Sequence, residues 1–275
     1  MAITNFIPTI WSENLYNALD KEYVAVAHCN REYEGEIKNR GSVVKICGVG
    51  NINVTDYTKD TDMANPQSLS DTVTELCIDQ AKCFNFQIDD IDRTQCTPRL
   101  MDAAMKIAAD SLSNAADKYV FKVAATSSAI KIDADNTPEG LVESIIYARE
   151  RLYENNVSDS SGLVLEVTPF VGSILLRAKI LLASDNTEVL ENGCIGKIAG
   201  CKVFISPNVM IDDTDGDPVH KCVMRTTRAI AFAEQLSEID AYRPEKRFAD
   251  AVKGLHIYGA KAVYPKEMII INVTA

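Results

Sequence analysis

Side chains able to act as nucleophiles, bases or metal ligands are few and scattered in this sequence. The histidines are His28, His220 and His256; the cysteines are Cys29, Cys47, Cys77, Cys83, Cys96, Cys194, Cys201 and Cys222. A nucleophile and its base meet through the fold, so the adjacency of His28 and Cys29 is no guide to a dyad. His220 and Cys222 could supply half of a zinc site, but no spacing rule places two further ligands. No C-x-x-C pair occurs, and the start, Met1-Ala2-Ile3-Thr4-Asn5, has neither the basic nor the apolar region of a secretory signal. The cysteines, several of them in apolar runs, are therefore expected as free buried thiols in a reducing cytoplasm. Each histidine is expected to be structural.

Two acidic clusters could hold a divalent cation. Asp89, Asp90 and Asp92 lack the glycine and the distal glutamate of a calcium loop; Asp212, Asp213, Asp215 and Asp217 have the wrong spacing and no closing Glu. Solvated turns are the expected reading of both. No Gly-rich phosphate loop and no G-x-S-x-G elbow is present. Paired carboxylates carry little information among 39 acidic residues. The expectation is a protein that is not an enzyme, with no cofactor and no metal. A cytosolic thiol-dependent α/β enzyme using Cys29 or Cys222 stays open as an alternative.

The formal net charge of -11 argues against direct nucleic-acid binding, because phosphate contacts need clustered Lys and Arg. Such acidity serves solubility, or a surface that does not adhere to nucleic acid. With 47% hydrophobic and 24% charged residues the composition is that of a globular chain, one elaborate domain or two lobes. No apolar run approaches the ~20 residues that cross a bilayer, so no membrane partner is expected.

The elements that would position any site are mixed α and β. Residues 1–30 read as an arm with a short helix, since Ile10, Trp11, Leu15, Ala18 and Leu19 recur at helical spacing after Pro8. Residues 31–80 read as a long two-stranded excursion: Val43 to Ile46 and Val73 to Asp79 are strand-like, and the polar stretch between them cannot bury itself. Phe84, Phe86 and Ile88 alternate with Asn85, Gln87 and Asp89 in a half-buried strand. Thr97-Pro98 starts a helix carrying Met101, Met105, Ala108, Leu112, Ala115, Tyr119 and Val123, about 27 residues long. Thr137-Pro138 starts a second helix with Leu141, Ile145, Ala148 and Leu152 on its apolar face, ending near Asn155-Asn156. Leu163 to Val167, Lys202 to Ser206, Leu255 to Gly259 and Met268 to Val273 read as strands, Val171 to Leu182 as helix, and Arg228 to Leu236 as extended or helical.

In order and spacing these stretches resemble the major capsid proteins of tailed bacteriophages, the Hong Kong ninety-seven type of shell fold. The likeness is carried by Phe6-Ile7-Pro8-Thr9-Ile10-Trp11, by Asn30 to Ile37 leading through Gly41 to Ile46, by Phe84 to Asp90, and by Gly254 to Pro265. The resemblance implies an α+β fold with an N-terminal arm (1–30), an extended β-hairpin loop (31–80), a peripheral domain with a long spine helix (81–126 and 255–275) and an axial domain (127–254). The final strands would share a sheet with Phe84 to Ile88. It implies copies of this chain assembling as pentamers and hexamers into an icosahedral virion shell. That shell would enclose DNA without sequence-specific contacts, with a portal and a separate scaffolding protein as further partners and synthesis in the bacterial host cytoplasm. No long N-terminal scaffolding helix is legible, which fits a separate scaffolding protein or a mature form. The expected intersubunit contacts are Arg40, Lys59 and Asp60 in the loop, and Arg243 and Lys246 near the domain junction. An encapsulin-like compartment shell is the alternative with the same fold.

Overall fold

The computed structural model describes residues 23–33, 41–49, 71–89, 100–157, 162–178, 194–213, 216–246 and 248–275, with isolated positions between 54 and 68. The arm before Tyr23, Arg40, Asp60 and the helix start at Thr97-Pro98 lie outside the described residues.

The long helix, α1, runs over 27 described residues, Leu100–Thr126. Its buried face is turned from the expected stripe: Met105, Ala109, Leu112, Ala116, Val120, Phe121 and Ala124 are buried, while Ala108, Ala115 and Tyr119 are only half-buried. The rotation brings two polar side chains, Ser113 and Asp117, inside. An apolar periodicity counts such residues as outward-facing. The second helix, α2 (Pro138–Glu154), follows its expectation at every point. Thr137 caps it by accepting a hydrogen bond from the Gly140 N–H, Pro138 sits in the first turn, and Leu141, Ile145, Ala148 and Leu152 are buried. Asn156 takes the left-handed backbone that ends it, at φ 62°. A third helix, α3 (Pro169–Arg177), is capped by Thr168 in the same way.

Strands β1 (Val43–Val49) and β2 (Asp71–Cys77) form an antiparallel hairpin. Strands β3 (Gln80–Asp89), β10 (Ile230–Tyr242) and β11 (Ala249–Ala262) form a three-stranded antiparallel sheet in the order β10-β11-β3. The segment from Ile230 is thus extended, not helical, after a turn at Arg228. Gly254 is needed in β11, because a Cβ there would stand 2.4 Å from the ring of Phe84, its cross-strand partner. Gly259 lets the hairpin base approach, since its Cβ would meet the Cys77 carbonyl oxygen at 2.3 Å.

The largest sheet holds β4 (Ile130–Ala134), β5 (Val164–Val167), β6 (Cys194–Ile198), β7 (Cys201–Ile205), β8 (Ile211–Asp212), β9 (Val219–Arg225) and β12 (Met268–Thr274). Its order is β4-β12-β9-β5-β7-β6, with β8 on β9. The expectation that the last strands join Phe84 to Ile88 therefore holds for β11 and fails for β12, which pairs with β9 and β4. The physical reason is in its composition. Met268-Ile269-Ile270-Ile271 is apolar on both faces and needs cover on both. Met268 and Ile270 pack in the core under α1, whereas Ile269, Ile271 and Val273 pack in the core under α2 and α3. The seven-stranded sheet is a wall between two cores.

Candidate functional site

Four buried ionisable side chains converge on one short segment, Tyr23 to Arg31. Asp117 of α1 accepts backbone N–H bonds from Val24, Ala25 and Val26 at 3.0, 3.1 and 3.1 Å. Arg225, at the end of β9, is fully buried and donates to the carbonyls of Ala25 and His28, each at 2.8 Å. It also binds Glu166 of β5 through two bonds of 2.9 and 2.8 Å, the fork geometry that suits a guanidinium and a carboxylate. His28 Nδ1 lies 3.4 Å from the same carboxylate. Glu234 of β10 accepts from the Tyr23 hydroxyl at 2.5 Å and from Arg31 at 2.6 Å, and lies 2.9 Å from His256 Nε2. Two Arg–Glu–His clusters result, Arg225–Glu166–His28 and Arg31–Glu234–His256, and the segment supplies one member to each.

The electrostatics follow the packing. Burial pushes the Glu166 carboxyl up, but the charge and hydrogen bonds of Arg225, with His28, outweigh it and hold the group below its ordinary range. Burial pushes Asp117 up to about 6 against the lowering effect of its three N–H donors. Burial also raises the Tyr23 hydroxyl, with Glu234 adding to the effect. Sequence reasoning missed this seam. The one legible signal was Glu166 itself, a lone charge inside an apolar strand, which a buried strand tolerates only beside a cation.

The histidines are engaged in packing: His28 against Phe204, His220 stacked on Phe170 at 4.9 Å, and His256 on Glu234. Cys29, Cys201 and Cys222 are buried as expected, but Cys47, Cys77 and Cys83 are exposed, a correction imposed by the alternation of β1, β2 and β3. Burial pushes the Cys29 thiol up to about 11 and Cys222 up to about 12, which favours the neutral thiol. Among the described residues no group of three or more His, Cys, Asp or Glu could hold a metal, and no helix is long and apolar enough to cross a membrane.

The candidate contact residues separate. Lys59 is exposed in the excursion between β1 and β2. Arg243 and Lys246 are brought together, exposed, in the turn between β10 and β11, where Arg243 lies 3.2 Å from Asp250 and Phe248 is 84% exposed. The hairpin β1–β2 has two unlike faces. Val44, Ile46 and Leu76, with Ile78, pack on Ala231, Ala233 and Ile257 of the body. The opposite face carries the cross-strand pairs Val43–Cys77, Lys45–Glu75 and Cys47–Val73, all exposed or nearly so. A groove of about 590 Å³ between β3 and α1, lined by Phe84, Phe86, Ile88, Ile107 and Leu112, is also open and apolar.

A hairpin packed on a three-stranded sheet, a long helix along that sheet and a seven-stranded mixed sheet make up an α+β fold, that of tailed-phage major capsid proteins. Solved structures bear this out. A structure from Mycobacterium phage Che8 is 29% identical, covers 90% of this chain and 90% of its own, and superposes with a TM-score of 0.70. The capsid of Ralstonia phage GP4 is 13% identical over 94% of this chain and 90% of its own, with a TM-score of 0.68. A virus-like particle from Pyrococcus furiosus is 11% identical over 97% and 99%, with a TM-score of 0.58. No family model and no curated protein matches the chain.

Proposed function

We propose that this chain is a capsid shell protein whose copies form pentamers and hexamers and close into the icosahedral head that encloses phage DNA. The observation that carries the reading is the match of fold along 90% of both chains to a phage protein at 29% identity. The hairpin supports it physically. A two-stranded ribbon gains stability only from what covers it. Here the body covers one face and leaves Val43 at 47% and Val73 at 49% exposure on the other, which suits cover by a second copy. Head-to-tail contacts of this kind close into rings. In this reading residues 1–30 are the arm, 31–80 the extended loop, 81–126 and 255–275 the peripheral domain, and 127–254 the axial domain. Lys59, Arg243 and Lys246, with Arg40 and Asp60, meet neighbouring copies. A portal and a scaffolding protein complete the assembly, which is built in the host cytoplasm and ends in the virion.

Electron microscopy of the purified chain tests the proposal. Uniform shells or five- and six-membered rings are expected; a stable monomer under all assembly conditions overturns it. The likeness to the virus-like particle favours a second reading, a compartment shell enclosing protein. Shells purified from cells decide between the two: nuclease-protected DNA supports the head, and co-purified protein cargo without DNA supports the compartment.

A further inference from the structure

The seat of the segment Tyr23 to Arg31 differs from the two apolar cores among the described residues. Asp117, Glu166, Arg225, Glu234 and His256 line it, each no more than 6% exposed. Its contacts reach α1, β5, β9, β10 and, through His256, β11. One short parallel bridge, Asn30 to Ala231, adds bonds from Asn30 N–H to the Ile230 carbonyl and from Phe232 N–H to the Asn30 carbonyl, both 2.9 Å. The apolar part of the segment is small: Tyr23, Ala25, Val26 and Cys29. An emptied apolar seat exposes surface that water does not solvate well. An emptied charged seat is hydrated, and its ions regain the solvation that burial took from them. Opening here is therefore far less costly than stripping β12 from the wall, since Met268 to Ile271 are apolar on both faces.

We infer that Tyr23 to Arg31 is a releasable strap, which opens and closes on the body as one unit while both cores stay folded. In chain order the strap lies between the N-terminal 22 residues and the residues that lead into β1. Its closure therefore fixes where Tyr23 and Arg31, the residues next to those stretches, are held on the body. The strap rests on its own contacts. Its bearing on assembly rests on the shell reading above, because those two stretches are the ones proposed to reach neighbours.

Hydrogen exchange on the full-length, unassembled chain tests the strap directly. Amides of residues 23–31 are expected to exchange together, at least about tenfold faster than those of Met268 to Thr274. Arg31→Met and Asp117→Asn should each speed strap exchange by about a further tenfold and leave β12 unchanged. Equal exchange of strap and β12 in the unaltered chain overturns the inference, as does a variant that accelerates both alike. If Asp117→Asn does not fold, the unaltered chain and Arg31→Met decide. The same measurement on assembled shells should show slower strap exchange. If no shells form, the assembly reading fails, while the comparison in the unassembled chain still decides the strap.

Discussion

On one side of the seven-stranded sheet, α2 and α3 cover Leu165, Met224, Ile269 and Ile271 with Leu141, Ile145, Leu152, Val171 and Leu175. On the other side, α1 covers Val223, Met268 and Ile270 with smaller residues, Ala109, Ala116 and Ala124, and leaves room for the strap and its charges. The first core is held mainly by apolar area, with Arg149 as its buried cation. The second is part apolar area and part paired charge, so its integrity depends on ions keeping their partners. The same sheet thus backs one side built to stay shut and one side that contains a seam.

The largest effect is expected where that seam is cut. Arg225→Met leaves Glu166 buried with no guanidinium and should cost about 3–5 kcal/mol at neutral pH, read as a shift in urea midpoint. Glu166→Leu with Arg225→Met removes both charges and should restore most of that loss. A single variant costing under about 1 kcal/mol would erase the contrast between the cores. In the apolar core, Leu152→Ala should cost about 2–5 kcal/mol, with no recovery from any second charge change.

The pH dependence sharpens the comparison, because the seam holds two carboxyls shifted in opposite directions. Glu166 is held below its ordinary range, so its contribution is full above that range and is lost as pH falls through the folded value. Asp117 is raised from 3.8 to about 6, so its contribution is full below 3.8 and is lost as pH rises through about 6. Urea unfolding at a series of pH values should show Asp117→Asn removing a decline in stability between pH 4 and 6. A curve unchanged by that substitution would mean that Asp117 is not perturbed. A smaller effect is expected at the cap of α2, where Thr137→Ala should cost about 1 kcal/mol by thermal or urea unfolding.

The smallest perturbation is chemical. A maleimide should label Cys47, Cys77 and Cys83 quickly on the unassembled chain and reach Cys29, Cys201 and Cys222 only on unfolding. In assembled shells Cys47 and Cys77 should become slow. Labelling that stays fast there would show the outer face of the hairpin to be uncovered.

What could be read from the sequence follows the same division. The apolar face of α2 was legible, because its burial is set mainly by apolar side chains at a period of 3.6; only Arg149 is buried beside the expected stripe. The hairpin and the length of α1 were legible for similar reasons. The face of α1 was not, because Asp117 is buried by backbone donors 91 to 93 positions away. Nor was the clustering of Arg225 with Glu166, 59 positions apart, or of Arg31 with Glu234, 203 apart. Ion pairs leave no periodic trace. Exposure of Cys47 and Cys77 was hidden differently. A ribbon with apolar residues on both faces gives a sequence like that of a buried strand, and only the three-dimensional arrangement shows which face the body covers.

The placement of β12 also bears on how the molecule comes into being. It is the last strand in chain order, yet it stands inside the wall, hydrogen-bonded on both flanks by β4 and β9. Both cores draw on this strand, Met268 and Ile270 on the α1 side and Ile269, Ile271 and Val273 on the other, so neither is complete in a nascent chain until β12 has been added. Nascent chains at different stages of translation therefore share one property: their wall lacks the strand that joins β4 to β9.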